Sequence, residues 1–220
     1  TFLGYREYEL EVAQDGTDVL VSRPETGLGI LRATKPTRKS FAHLSPQVQQ
    51  KAREPKLLMV TKANRRSTVH RPTYLDYVGI KRFDEAGNVI GELRFVGLLS
   101  AATYADSATA VPIIRQTIAR AIELSNYAPG SHYARDLMHF CETFPRDELF
   151  QVSPQQLIDL ARKVLAIGER HQTRVFTRTD DYGRFVSVLV YLPRDRYTTD
   201  VRIAITKILE QTYGSDRVDY

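Results

Sequence analysis

The chain reads as an α+β fold, with an antiparallel sheet in its first third, helices in its middle third and a strand–loop–helix unit at its end. Three observations predict this. Apolar residues alternate at period two through residues 6–12 and again near 93–99. They recur at three- and four-residue steps across 111–122, 137–144 and 157–165. Near the end, the apolar run Val188-Leu-Val-Tyr-Leu192 passes through Pro193 and a packet of charge into a helical pattern at Val201, Ile205, Ile208 and Leu209.

The elements follow in order. In Arg6-Glu-Tyr-Glu-Leu-Glu-Val12, Tyr8, Leu10 and Val12 alternate with Glu7, Glu9 and Glu11, the pattern of a half-buried strand. Asp15-Gly16 turns the chain into Val19-Leu-Val21, a hairpin. Residues 23–40, rich in Gly, Pro, Thr and Lys, read as an extended loop. Ser45-Pro46 opens a short helix that ends before Pro55. Three strands follow: Lys56 to Lys62, Tyr74 to Phe83 and Val89 to Ser100, with a turn at Asp84-Glu-Ala-Gly-Asn88. The last of these puts Leu93, Phe95 and Leu99 on one face and Glu92 and Arg94 on the other. Two strands, a loop with a short helix, then three strands give the element order of a PAS-like antiparallel sheet domain over residues 1–104.

Residues 105–170 read as a helical connector. Val111, Ile114, Ile118 and Ile122 share a face, with Pro112 in the first turn and a stop before Pro129-Gly130. Ser131 caps a second helix carrying Leu137, Phe140, Cys141 and Phe144, ended by Pro145. Ser153-Pro-Gln-Gln156 has capping-box spacing ahead of Leu157, Leu160, Ala161, Val164 and Leu165. Residues 171–220 form a third unit: Arg174 to Arg178, the turn Asp180-Asp-Tyr-Gly183, Phe185 to Leu192, and a helix from Thr199 to about Tyr213. Two strands and one helix are too small to stand alone, so a further strand is expected from Ser215 onward, or a second copy beside it.

Composition narrows the class. At 220 residues, with 42% hydrophobic and 26% charged residues, the chain suits one large or two small globular domains. No apolar run approaches a membrane span. The single cysteine, Cys141, excludes an internal disulfide, fits a reducing compartment and so a cytoplasmic location. It sits on an apolar helical face and reads as a small buried hydrophobe. The chain opens at Thr1 without an initiator Met or signal segment, as expected of a piece of a longer polypeptide. Residues 32–71 hold eleven Lys or Arg against one acid, Glu54, while the whole chain is +5. That basic window has a single aromatic, Phe41, where a single-strand binder interleaves several, so nucleic acid is a minor alternative.

Catalytic machinery is not legible. Gly27-Leu-Gly29 is followed three residues later by Arg32, where a dinucleotide loop needs Gly or Ala, and no strand-to-helix pattern surrounds it. His43, His70, His132, His139 and His171 lack metal-ligand spacing, and no nucleophile elbow occurs. No metal site is expected. Two arginine-rich corners stand out instead. Arg194, Asp195, Arg196 and Tyr197 lie between a strand and a helix start, where backbone N–H groups, guanidinium groups and the helix dipole suit an anion. Asn64, Arg65, Arg66, His70 and Arg71 join two strands, as a basic pocket or interface for carboxylates or as a solvated hairpin end.

Four segments carry a family resemblance: Thr61-Lys-Ala-Asn-Arg-Arg-Ser-Thr-Val-His-Arg-Pro-Thr-Tyr-Leu-Asp-Tyr-Val-Gly79, Gly91-Glu-Leu-Arg-Phe-Val-Gly97, Phe144-Pro-Arg-Asp-Glu-Leu-Phe-Gln151 and Tyr191-Leu-Pro-Arg-Asp-Arg-Tyr-Thr-Thr-Asp-Val-Arg202. They resemble the large, single-polypeptide class of bacterial NAD-specific glutamate dehydrogenase. Phe95-Val-Gly-Leu-Leu-Ser100 departs from that family's more aromatic pattern. The resemblance implies the N-terminal regulatory region, where ACT-like and PAS-like domains are joined by helices. It implies a partial ACT-like (βαβ-type) unit at 171–220, with Arg194–Tyr197 at the position where ACT-like units bind small ligands. It places no catalytic residue here. It implies NAD and the oxidative deamination of L-glutamate for the parent polypeptide, with no cofactor in this segment.

The resulting expectation is a non-catalytic regulatory or assembly segment. Its partners would be the catalytic domain, other subunits and an amino-acid effector, acting by population shift. The alternatives are a purely architectural oligomerisation arm and a basic nucleic-acid-binding module.

Overall fold

The computed structural model describes residues 1–168, 172–215 and 218–219. Strand β1 (Phe2–Val12) lies at the centre of the first sheet, flanked by β2 (Asp18–Gly29) and by β6 (Val89–Gly97). Outward from these lie β3 (Arg38–Ser40) on one side, and β5 (Tyr74–Phe83) then β4 (Leu58–Arg66) on the other. Every neighbouring pair is antiparallel. Helix α1 (Pro46–Arg53) sits in the crossover between the two halves, and Val48 N donates to Oγ of its cap Ser45 at 3.4 Å.

The loop expected at 23–40 is mostly strand. β2 continues to Gly29 because Pro24–Gly27 form a bulge: Tyr5 pairs with Leu28 and Glu7 with Arg23, so the extra residues step out of the ladder. A proline fits there because no ladder hydrogen bond is required of it. Gly29 has φ +58°, and a Cβ would fall on the carbonyl oxygen of Leu3, so the close approach of β2 to β1 depends on glycine. On β1 the inward face is Gly4, Arg6, Tyr8 and Leu10, whereas Val12 is 62% exposed at the strand's end. On β6 the charged face, not the apolar one, is turned inward: Glu92 is buried and the Arg94 side chain is only 14% exposed. Phe95 packs outside against Tyr5, with ring centroids 4.8 Å apart.

The middle third contains α2 (Ala101–Ala105), α3 (Ile114–Ser125), α4 (His132–Thr143), α5 (Arg146–Leu149) and α6 (Pro154–Leu165). Ser131 caps α4, and Ser153 and Gln156 form the complete capping box of α6. Pro112 precedes α3 rather than occupying its first turn, since Ile113 at φ +72° breaks the helical path before Ile114. The core here is apolar and continuous: Ile114, Ile118, Leu137, Leu149, Leu157 and Ile158 are at most 1% exposed. Burying each such side chain stabilises by about 1.5–3 kcal/mol before entropy. Cys141 belongs to this core, and burial pushes its thiol up to about 11.

The last unit is a two-stranded antiparallel sheet, β7 (Arg174–Thr179) with β8 (Val186–Tyr191), followed by α7 (Thr199–Tyr213). Thr198 caps α7 by accepting from Val201 N at 3.2 Å. No residue of α7 is fully buried. His171, and Asp216, Arg217 and Tyr220 of the expected further strand, lie outside the described residues.

Candidate functional site

The concave face of the six-stranded sheet encloses a cavity of about 530 Å³. Its apolar wall includes Leu20, Met59, Leu75 and Val96 from four different strands. Val48 and Ala52 of α1 and Phe41 and Leu44 of the preceding loop cover it. Tyr182 and Arg184, from the turn of the β7–β8 hairpin, complete the mouth. Gly79 faces Arg94 across the β5–β6 ladder, and a Cβ at Gly79 would crowd Met59, Tyr77 and Glu92, so the missing side chain leaves room for them.

A polar cluster sits on the floor of this cavity. Glu92 Oε1 accepts from the Tyr77 hydroxyl and, at 3.0 Å, from Arg94 Nε. Arg94 Nε also reaches the Tyr77 oxygen at 3.2 Å, and its guanidinium lies 3.9 Å from the Tyr8 ring centroid. Among the described residues, no hydrogen bond uses the two terminal nitrogens of Arg94. Burial drives the Tyr77 hydroxyl well above its ordinary pKa, with Glu92 adding to the effect. Lys39, cross-strand from Leu20, has its ammonium pKa lowered by desolvation and then by Arg94. Lys81 is lowered by desolvation too, and donates to the carbonyls of Lys51 and Glu54 at 2.9 and 2.6 Å.

The hairpin turn is locked onto the sheet. Thr61 Oγ1 donates to Asp180 Oδ1 at 3.0 Å, and Arg184 Nε donates to Asp180 Oδ2 at 3.1 Å. The Tyr182 hydroxyl meets Met59 Sδ, and the Arg184 guanidinium lies over the Tyr182 and Tyr77 rings at 4.9 and 5.4 Å. Asp180 is 4% exposed, so this is an interior polar contact and not a surface ion pair.

The segment Phe144–Gln151 joins all three units. Arg146 is buried and donates to the carbonyls of Cys141, Glu142 and Asp106, closing the end of α4. Asp147 accepts from the Tyr104 hydroxyl at 3.1 Å and pairs with Lys62 of the first sheet at 3.1 Å. Burial and then Asp147 push the Tyr104 hydroxyl up to about 12. Glu148 takes both ends of the Arg178 fork from β7, at 2.8 and 2.9 Å. Gln151 accepts from Arg178 at 3.2 Å and from Thr61 at 3.5 Å.

The sequence-predicted residues are placed differently. Arg194, Asp195 and Arg196 form one 3₁₀ turn, and all three, with Tyr197, are exposed. Among the described residues, none of the four lines the cavity. The second group divides. Asn64 and Arg65 line the cavity mouth. Arg66 is tied to the carbonyl of Pro72 and lies 5.6 Å from the Tyr74 ring centroid. Arg71 donates to the carbonyl of Leu99 at 3.1 Å and lies over Tyr104. His70 is exposed at φ +62°. These contacts make the tip of the β4–β5 hairpin self-sufficient. Sequence reasoning missed Tyr77, Glu92, Arg94, Tyr182 and Arg184. The available signal was the charged face of β6, combined with Tyr182 and Arg184 in the turn before β8.

A Rossmann-type dinucleotide loop is a glycine turn that opens a helix. Gly27 and Gly29 instead end a strand packed against β1. Among the described residues, no cluster of three metal-ligating side chains forms, and no helix is long and apolar enough to cross a membrane.

A bridged pair of sheets, the second with a strand–helix order, defines a multi-unit α+β segment. Comparison with known proteins shows the family. Residues 111–170 match the glutamate dehydrogenase helical motif 1, and residues 174–220 match the glutamate dehydrogenase ACT2 domain. The NAD-specific glutamate dehydrogenase of Halomonas elongata is 36% identical over 220 residues, covering 97% of this chain and 14% of that protein. The Pseudomonas aeruginosa protein of the same name is 38% identical over 218 residues, 98% of this chain and 13% of its own length. That of Mycobacterium tuberculosis is 33% identical over 195 residues, 89% of this chain and 11% of its own. The chain is a segment of the NAD-specific glutamate dehydrogenase family, spanning a small part of the length of these relatives.

Proposed function

We propose that this is a non-catalytic regulatory and assembly segment from the N-terminal arm of a cytoplasmic, NAD-dependent glutamate dehydrogenase. The parent would convert L-glutamate to 2-oxoglutarate and ammonia at a site elsewhere in the polypeptide. Residues 1–104 act as a PAS-like sheet domain, 105–170 as a helical connector and 171–220 as part of an ACT-like unit. The strand order, with β1 central and the helical crossover after the first hairpin, supports the PAS-like reading.

The observation that carries this is the joint at Arg146, Asp147 and Glu148. Adjacent side chains hold the helices, the first sheet and the second sheet in one register. A small effector or a neighbouring subunit that prefers one packing of these units shifts the population, and a coupling of about 1–3 kcal/mol suffices for 5–150-fold control. The exposed anion-suited loop Arg194–Tyr197 at the start of α7 is the point proposed for an amino-acid effector or for the catalytic domain. The test is thermal melting of the chain with each common amino acid at millimolar concentration, alongside an NAD reduction assay with glutamate. A melting shift without turnover is expected; NADH production by this chain alone would overturn the reading.

A second reading, architectural assembly, is favoured by one observation. Ile203, Ile208 and Tyr213 of α7 and Val175 of β7 are 42–59% exposed, large apolar side chains left open on the smallest unit. Sedimentation across a wide concentration range tests it, a strict monomer arguing against self-assembly through this unit.

A further inference from the structure

We propose that the cavity on the concave face of the first sheet binds an amphipathic monocarboxylate, with its carboxylate on Arg94 and Lys39 and its apolar body between α1 and the sheet. The inference rests on the regulatory reading above and gives that segment a second ligand site, distinct from the Arg194–Tyr197 loop.

The chemistry of the lining selects this class. Leu20, Met59, Leu75 and Val96 offer a continuous apolar wall with no use for a fully polar metabolite. The volume, about 530 Å³, lies in the range of small-molecule sites and exceeds what one small amino acid fills. The charged groups at the wall are Lys39, Arg65, Lys81, Arg94 and Arg184 against Glu92 alone. Arg184 is balanced by Asp180, Lys81 is held by two carbonyls, and Arg94 shares Glu92 through its Nε. That leaves Arg65, exposed beside Asn64, the outer edge of the Arg94 guanidinium and the Lys39 ammonium; desolvation and then Arg94 lower the Lys39 pKa, which places the last two cations near one another at the wall. An entering carboxylate relieves that repulsion and gains charge-assisted hydrogen bonds, which a neutral or cationic head group cannot do.

The site also has a reason to matter. Its mouth is formed by Tyr182 and Arg184 of the β7–β8 turn, so an occupant touches both the first sheet and the ACT2 unit. A ligand spanning two units favours their docked arrangement over any other, which is the requirement for population shift.

The test uses the 220-residue chain with 8-anilinonaphthalene-1-sulfonate as a fluorescent apolar anion and decanoate as competitor. Saturable fluorescence, displaced by decanoate and about tenfold less well by decanol or decylamine, is expected. Lys39→Glu, at the exposed rim and outside the folded core, weakens decanoate by a similar factor. Leu20→Trp, which fills the wall, abolishes the probe signal. The inference is overturned if decanol matches decanoate, if decanoate displaces nothing, or if Leu20→Trp leaves the probe bound. An amino-acid melting shift that survives such a failure would leave the regulatory reading in place and remove this site alone.

Discussion

Arg178 of β7 and Glu148 of α5 form a two-pronged ion pair, Nε to Oε2 at 2.8 Å and Nη2 to Oε1 at 2.9 Å, with side chains only 17% and 9% exposed. This contact ties the second sheet to the helical bridge. Its neighbour Asp147 ties the first sheet to the same four-residue helix. One short helix therefore carries a contact to each sheet.

Breaking this pair on one side strands a buried charge. Glu148→Ala is expected to cost about 3–5 kcal/mol of docking stability and to raise amide exchange in β7 and β8, while the α3–α6 core stays protected. Glu148→Leu combined with Arg178→Met restores much of the loss. A single-variant cost of only about 0.5 kcal/mol, the worth of an exposed pair, would show that the contact does not hold the units together.

The core of the connector should respond as a close-packed interior. Ile118→Ala, at a position 1% exposed, is expected to lower stability by about 2–5 kcal/mol. Ile208→Ala on α7, where the side chain is 59% exposed, is expected to change it by about 0.5 kcal/mol or less. Chemical denaturation of the two variants checks the contrast, and equal costs would contradict the burial pattern.

Alkaline pH gives a separate test. Desolvation raises the Cys141 thiol from an ordinary 9.0 to about 11, with Glu142 adding to the shift. The folded state therefore favours the protonated thiol. Its contribution is full below pH 9 and is lost as pH rises to about 11, because the unfolded thiol ionises first, at roughly 1.4 kcal/mol per unit of difference. Wild type should lose more stability than Cys141→Ala over that window, and native Cys141 should resist thiol reagents at neutral pH. Rapid labelling of the native protein would contradict this.

The fold was legible where a residue's role is local. Ser45-Pro46, Ser153 with Gln156, and Thr198 announce the starts of α1, α6 and α7, because a cap acts within one turn of its own helix. Tyr74 to Phe83 announces β5 for the same kind of reason. The rest depends on contacts distant in sequence. Pro24 and Gly27 look like loop residues but serve a bulge whose partner strand lies twenty residues earlier. Glu92 and Arg94 look like a solvent face, yet Tyr77 and Tyr8 on neighbouring strands supply the hydrogen bond and ring contact that let them be buried. The cavity was invisible for that reason: its wall is drawn from strands, a loop and a hairpin turn more than a hundred residues apart. The arginines at 66 and 71 drew attention by charge, while their carbonyl partners Pro72 and Leu99 left no mark in the sequence.

The most direct measurement places Asp180→Asn in the proposed parent dehydrogenase and follows glutamate-dependent NAD reduction across a panel of amino acids. Asp180 holds Thr61 of the first sheet and Arg184 of the hairpin together. Loosening it should leave the unstimulated rate within about twofold while shifting effector response by roughly 5–150-fold. Loss of the unstimulated rate with an unchanged effector response would contradict a regulatory role for this segment.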